Sequence, residues 1–182
     1  VRAVRLQGAA RTGADLVLTI ELCSMTWQRG DLSLANLIST GLFGDGATCA
    51  VVVGADREAA GPRIAATRSV FYPDTEDVMG WRISENGFEI VLSPAVPTVA
   101  RERLGPDADR FLADHGLARR DISFWVCHPG GPKVLAAARD ALGLTDEDLA
   151  LSWESLRKAG NLSSASVLLI LEQTLQRRPP AP

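Results

Sequence analysis

The sequence predicts an α/β fold, a mixed sheet covered by helices on both faces, on three observations. Strand-like and helix-like segments alternate along the chain, as they do when strands are joined through helices. The runs 14–22, 47–53 and 121–127 are nearly continuously apolar, the pattern of strands buried on both sides. The last helical segment, 165–176, begins apolar almost all round with Val167, Leu168, Leu169, Ile170 and Leu171, which marks a helix set in a core.

Taken in order, residues 1–11 place Val1, Val4 and Leu6 among arginines and alanines, a helix ended by Gly13. The run 14–22 is the first strand. Residues 31–40 are helical, with Asp31 as N-cap and Gly41 as the stop. Leu42-Phe43-Gly44-Asp45-Gly46 makes a tight turn into the strand 47–53. A polar loop over 57–63 leads to an expected strand over 64–71. A loop over 75–81 contains Gly80, and a short strand over 88–92 is broken by Pro94 and Pro97. Residues 98–115 read as a helix that Gly105-Pro106 should interrupt. The third strand, 121–127, delivers His128 to a rigid Pro129-Gly130-Gly131-Pro132 turn, and a helix over 133–142 ends at Gly143. Thr145 to Asp148 fits a capping box that opens a short helix. A helix over 153–159 is ended by Gly160-Asn161, Ser163 or Ser164 caps the final helix, and 177–182 is a frayed tail.

Composition narrows the function. The 182 residues are 46% apolar and 23% charged, enough for one packed domain or one half of a larger two-part fold. A formal charge of −3 gives no electrostatic case for nucleic-acid binding. No apolar run, 167–171 included, is longer than five residues, far below the roughly 20 residues of a membrane span. Cys23, Cys49 and Cys127 are odd in number and lack CxxC spacing, which argues against a disulfide framework or structural zinc and for reduced, buried thiols in the cytoplasm. Two histidines without clustered ligands give metal catalysis little support. The first residues carry arginines but no apolar signal core. A chain that opens without methionine, in mid-helix, is expected to begin inside a longer protein.

Three constellations could carry chemistry. His128 stands where a strand meets a loop held by two prolines, and the glycines leave room above its ring. A histidine satisfied by backbone at a strand end fits that position equally well. Asn161 lies one turn before the last helix and could point its amide into a cavity; taken alone, a plain helix C-cap is the better reading. The spacing of 33 residues, 161 − 128, lets both return to one end of the sheet. Gly44-x-Gly46 resembles a dinucleotide loop, but position 49 is cysteine and a strand follows where that motif needs a helix. A tight turn is the reading kept, with Phe43 beside it free to line a pocket.

Together, Gly41-Leu42-Phe43-Gly44-Asp45-Gly46-Ala47, His128-Pro129-Gly130-Gly131-Pro132 and Gly160-Asn161-Leu162-Ser163-Ser164-Ala165 resemble, in order and separation, the C-terminal half of the type III polyketide synthases, the chalcone synthase family. The resemblance covers nearly the whole chain. It implies a thiolase-like fold, a homodimer, acyl-CoA and malonyl-CoA as substrates, no cofactor, and a Cys-His-Asn catalytic set. On it, His128 matches the catalytic histidine and Asn161 the catalytic asparagine. Phe43 matches the aromatic gate to the cavity, and Ile90 falls where many members carry a second gate phenylalanine. Gly80 matches the glycine that sets cavity length, Ser163 a serine near the centre, and Trp27 a segment closer to bacterial than to plant members. The nucleophilic cysteine of the family would lie a few residues before Val1; Cys23 matches a different cysteine and is not taken as nucleophile. A glycine-rich loop of the family is missing after Pro182. Residues 1–182 are therefore expected to be the C-terminal part of a condensing enzyme, inactive alone.

The implied reaction decarboxylates malonyl-CoA to an enolate held by His128 and Asn161, extends an acyl-cysteine by two carbons, and cyclises the product. Gly80 and Ile90 suggest room for a long starter and an alkylpyrone or alkylresorcinol. The alternatives are a ketoacyl synthase III type of single-condensation enzyme, against which the HPGGP turn argues, and an inactive homologue kept as dimer partner.

Overall fold

A computed structural model describes residues 13–58 and 61–177; the helix expected over 1–11 lies outside them. β1 (Ala14–Glu21) pairs antiparallel with β2 (Gly46–Val53), and β3 (Met79–Ser84) with β4 (Gly87–Leu92). The helices are α1 (Leu34–Leu42), α2 (Val96–Ala113), α3 (Pro132–Leu142), α4 (Ala150–Ala159) and α5 (Ser164–Arg177). The class is α/β. The described strands form two antiparallel ribbons, and the only parallel pairing among them is an isolated bridge from Phe43 to Asn161.

The core lies among the last four helices. Leu112, Leu135, Leu142, Leu149, Leu162 and Ile170 are all buried there. α5 packs across the β1–β2 ribbon. Glu21 at the end of β1 bonds to the start of α5, so the face of β1 that carries Val17, Thr19 and Glu21 meets the helix, because strand side chains alternate. The opposite face is uncovered among the described residues: Leu16, Leu18 and Ile20 are 58, 60 and 67% exposed. The burial expected on both faces is not reached: on the helix-facing side Val17 is still 36% exposed and Thr19 and Glu21 are half-buried. Cys49, across from Leu18 on β2, is exposed for the same reason; all three cysteines are free thiols.

The strand expected over 121–127 does not form: Asp121 closes the 3-10 turn Arg119–Asp121, Ser123 is a bend, and no residue of the segment joins a ladder. The segment has no neighbouring strand among the described residues. It is held instead by the buried Ser152 of α4, whose hydroxyl donates to the Cys127 carbonyl at 2.8 Å. No strand forms over 64–71; that segment is strapped to α2 by the Arg68–Asp114 ion pair and by the Tyr72 hydroxyl donating to Asp107. β3, read from sequence as a loop, pairs with β4 through the two-residue turn Glu85-Asn86, closed by Ser84 and Gly87 with Gly87 at φ 99°.

Capping differs in detail. α1 is capped by Ser33, whose hydroxyl accepts from the Asn36 N–H, while Asp31 accepts from the Ser33 N–H and hydroxyl. Gly143 ends α3 in the left-handed conformation, φ 70°. The Thr145–Asp148 box forms and leads into a single α4.

α2 is not interrupted. Pro106 sits inside it; the N–H it lacks would have met the carbonyl of Glu102, a residue on the exposed side of the helix. Gly105 is the contact point with α3. A Cβ there would stand 2.6 Å from the Ala141 carbonyl oxygen, which also accepts from Arg119 at 2.8 Å. Gly105→Ala should gain about 1 kcal/mol of helix propensity and lose more, up to about 3 kcal/mol, to overpacking against backbone. We expect a lower thermal midpoint, and an unchanged or raised one contradicts this packing. No helix among the described residues is long and apolar enough to cross a membrane.

Candidate active site

The three sequence motifs meet at Asn161. Its N–H donates to the Leu42 carbonyl at 2.8 Å, and its carbonyl accepts from the Gly44 N–H at 3.0 Å. The residue is 1% exposed. Its side-chain orientation follows from its partners. The Ser163 N–H donates to Oδ1 at 2.8 Å, so this atom is the oxygen, and Nδ2 faces the Gly130 carbonyl at 3.4 Å. One amide hydrogen is directed at the turn that carries His128; the second has no acceptor among the described residues.

Glycines allow this approach. A Cβ on Gly44 would stand 3.0 Å from Leu162 Cδ2 and 3.1 Å from the Ala159 carbonyl; one on Gly46 would meet Leu162 at 3.1 Å. The turn between α1 and β2 is thus a slot for Leu162, the residue after Asn161. At Gly160, φ is 73° and a Cβ would stand 2.5 Å from the Leu42 carbonyl oxygen. Ser163 adopts φ 50°, a conformation that costs a non-glycine residue about 1–3 kcal/mol unless its surroundings hold it.

His128 opens the rigid turn, its carbonyl accepting from the Gly130 N–H at 2.9 Å, with Pro129 fully buried beneath. A side chain at Gly130 would stand 3.4 Å from the imidazole Cδ2, so glycine keeps the ring uncrowded on that side. The residue is exposed, but burial of the remaining ring surface lowers its pKa below the ordinary 6.5. The imidazole is therefore neutral at neutral pH.

Beside this junction lies a part-open cavity of about 570 Å³. It is lined by Trp27, Phe43, Gly80, Ile90 and Ser163 together with Glu21, Cys23, Met79 and Trp81. The five residues that the family resemblance singled out besides His128 and Asn161 all line it. β3 and β4 carry Gly80 and Ile90, with Ile90 directly across from Trp81. His128 and Asn161 are not among the lining side chains; Asn161 sits behind the wall, joined to it through Phe43 and Ser163.

The acid at the cavity edge escaped sequence reasoning. Glu21 accepts from the Ser164 N–H at 3.1 Å and from the Ser164 hydroxyl. Burial raises its pKa, but the bonds from Ser164 and Ser163 outweigh that and hold it below the usual value. Asp45 accepts from the Ser24 N–H at 2.7 Å and its hydroxyl at 2.6 Å, clamping the segment after β1 onto the glycine turn. Burial, then the charges of Glu21 and Asp45, raise the pKa of Cys23. Burial pushes Cys127 up to about 11. Both shifts favour the thiol over the more nucleophilic thiolate at neutral pH. Among the described residues, no cluster of three or more His, Cys, Asp and Glu could hold a metal.

The α/β frame matches the thiolase-like fold of type III polyketide synthases of known structure. The chain superposes with a TM-score of 0.87 on 1,3,6,8-tetrahydroxynaphthalene synthase of Streptomyces coelicolor A3(2), described as a bacterial type III polyketide synthase, at 30% identity over 94% of this chain and 48% of that one. Residues 63–178 match the C-terminal domain of chalcone and stilbene synthases. The chain is 54% identical over 170 residues to 1,3,6,8-tetrahydroxynaphthalene synthase of Streptomyces peucetius subsp. caesius, over 92% of this chain and 45% of the relative. It is 41% identical over 167 residues to a putative chalcone synthase of Bacillus subtilis (strain 168), over 88% of this chain and 46% of the relative. The chain spans about half the length of these relatives. It belongs to the chalcone and stilbene synthase family and corresponds to that family's C-terminal domain.

Proposed function

We propose that the full-length protein is a type III polyketide synthase. It condenses malonyl-CoA onto a thioester starter by repeated decarboxylation and then cyclises the product, as a cytoplasmic homodimer without a cofactor. The observation that carries this reading is the Asn161 carboxamide, locked by the Ser163 N–H so that its NH2 faces the His128 turn.

In this reading a cysteine elsewhere in the longer protein accepts the starter. His128 and the second amide hydrogen of Asn161 donate to the thioester oxygen as malonyl-CoA loses carbon dioxide and becomes an enolate. The Asn161 amide is held by the Ser163 N–H before substrate arrives, so that donor needs little reorganisation as the charge develops. The enolate carbon attacks the acyl-cysteine carbonyl, and the cysteine sulfur leaves. A neutral His128 suits the donor role. An adjacent thiolate would raise its pKa and favour the imidazolium that activates the nucleophile. Phe43, Gly80, Ile90, Ser163 and Trp27 then shape the space in which the chain grows.

For the product, the relative at 54% identity favours the tetrahydroxynaphthalene class over an alkylpyrone or alkylresorcinol. A ring system oxygenated on alternate carbons is what successive two-carbon additions leave. The test is to incubate the full-length protein with malonyl-CoA alone and with short- and long-chain acyl-CoA starters, and to weigh the products. Expected is release of CoA and carbon dioxide with a product grown by several two-carbon units. A single extension favours the ketoacyl synthase III reading, and no turnover with the upstream cysteine intact overturns the proposal.

A further inference from the structure

We propose that Glu21 is a positioning residue for Asn161, acting through the serine pair at the start of α5; this rests on the reading of Asn161 given above. The geometry forms a continuous chain of contacts. Glu21 ends β1, where it pairs with Gly46, and Gly46 packs on Leu162. The Glu21 carboxylate accepts both the N–H and the hydroxyl of Ser164, the residue that follows Ser163. Ser163 stands in the left-handed conformation, from which its N–H fixes the Asn161 oxygen at 2.8 Å.

The carboxylate therefore anchors the residue next to Ser163, the strained position that decides which way the carboxamide points. Without it, Ser163 can relax toward ordinary helical or extended backbone. Its N–H then leaves Oδ1, and the amide is free to turn away from the His128 turn. Glu21 also borders the cavity, so direct contact with a bound acyl chain is the rival role. The two differ in kinetics. A contact residue changes starter affinity, whereas a positioning residue changes the step that needs the carboxamide.

The test uses the full-length enzyme and malonyl-CoA decarboxylation measured without starter. Glu21→Ala should lower kcat by about 10- to 100-fold, the scale of a misplaced catalytic group, with little change in KM. Glu21→Gln keeps an acceptor for Ser164 and should recover most of that loss. In an Asn161→Ala background, Glu21→Ala should cost nothing further, because both act through one group. Additive losses, or an effect confined to starter KM, overturn the proposal. If Asn161→Ala is costly and Glu21→Ala is not, only this inference falls; if Asn161→Ala itself costs nothing, the functional reading falls with it. Should Glu21→Ala fail to fold, Ser164→Ala removes one of the two bonds to the carboxylate. Its smaller loss should vanish in the Asn161→Ala background, and persistence there overturns the proposal.

Discussion

Gly160→Ala should destabilise the chain by roughly 2–5 kcal/mol, summing a forbidden backbone conformation and an overlap with main chain. Gly160 sits at φ 73° and ψ −157°, a region that essentially only glycine visits. The added methyl would stand 2.5 Å from the Leu42 carbonyl oxygen, the atom that accepts the Asn161 N–H. Relief by moving Leu42 breaks that bond and pulls Phe43 out of its bridge. Gly143→Ala is the matched control. Its φ is 70°, but a Cβ there meets nothing within 4 Å, so it should cost only about 1–2 kcal/mol for the left-handed conformation. Urea unfolding of the two variants checks the difference. Equal losses would mean that the close approach of α1 to Asn161 does not matter.

Asn161→Ala should lower malonyl-CoA decarboxylation by the full-length enzyme on the order of 10²–10³-fold, the usual cost of one donor to a developing oxyanion. KM should move little, since the donor acts on charge that forms only in the transition state. Asn161→Asp separates the two jobs of the side chain. It can still accept the Ser163 N–H, but as a carboxylate it donates nothing and faces the Gly130 carbonyl, so its rate should be as low as that of the alanine variant. A near-normal rate in either variant would remove Asn161 from the mechanism. Alanine should also unfold more easily, by about 1–3 kcal/mol, because it strands the Ser163 N–H in a buried site.

The parts of the fold that sequence revealed are those encoded locally. The HPGGP turn, the Gly143 stop and the Thr145–Asp148 box each need only a few neighbouring residues. The three motifs come together at Asn161, and residues as distant as Trp27, Phe43, Gly80, Ile90 and Ser163 share one cavity. Most errors have non-local causes. The segment 121–127 has the composition of a buried strand, but a ladder needs a neighbour, and Ser152 holds it instead. β3 is a local miss: Met79, Trp81 and Ile83 alternate with Gly80, Arg82 and Ser84, a period-two signal masked by reading Gly80 as part of a loop. Gly44 and Gly46 read as turn glycines, while their use is to admit Leu162. Glu21 left only a faint trace, two serines opening α5 with no acidic partner in its first turn.

The bond between Glu21 and Ser164 spans 143 residues of chain. During synthesis the first partner waits until nearly all of the described polypeptide has been made. Closing so long a loop is slow compared with forming a hairpin or a helix. The site is thus among the last parts to take shape, and a product truncated before α5 would carry the HPGGP turn and the cavity wall without the clasp that joins them.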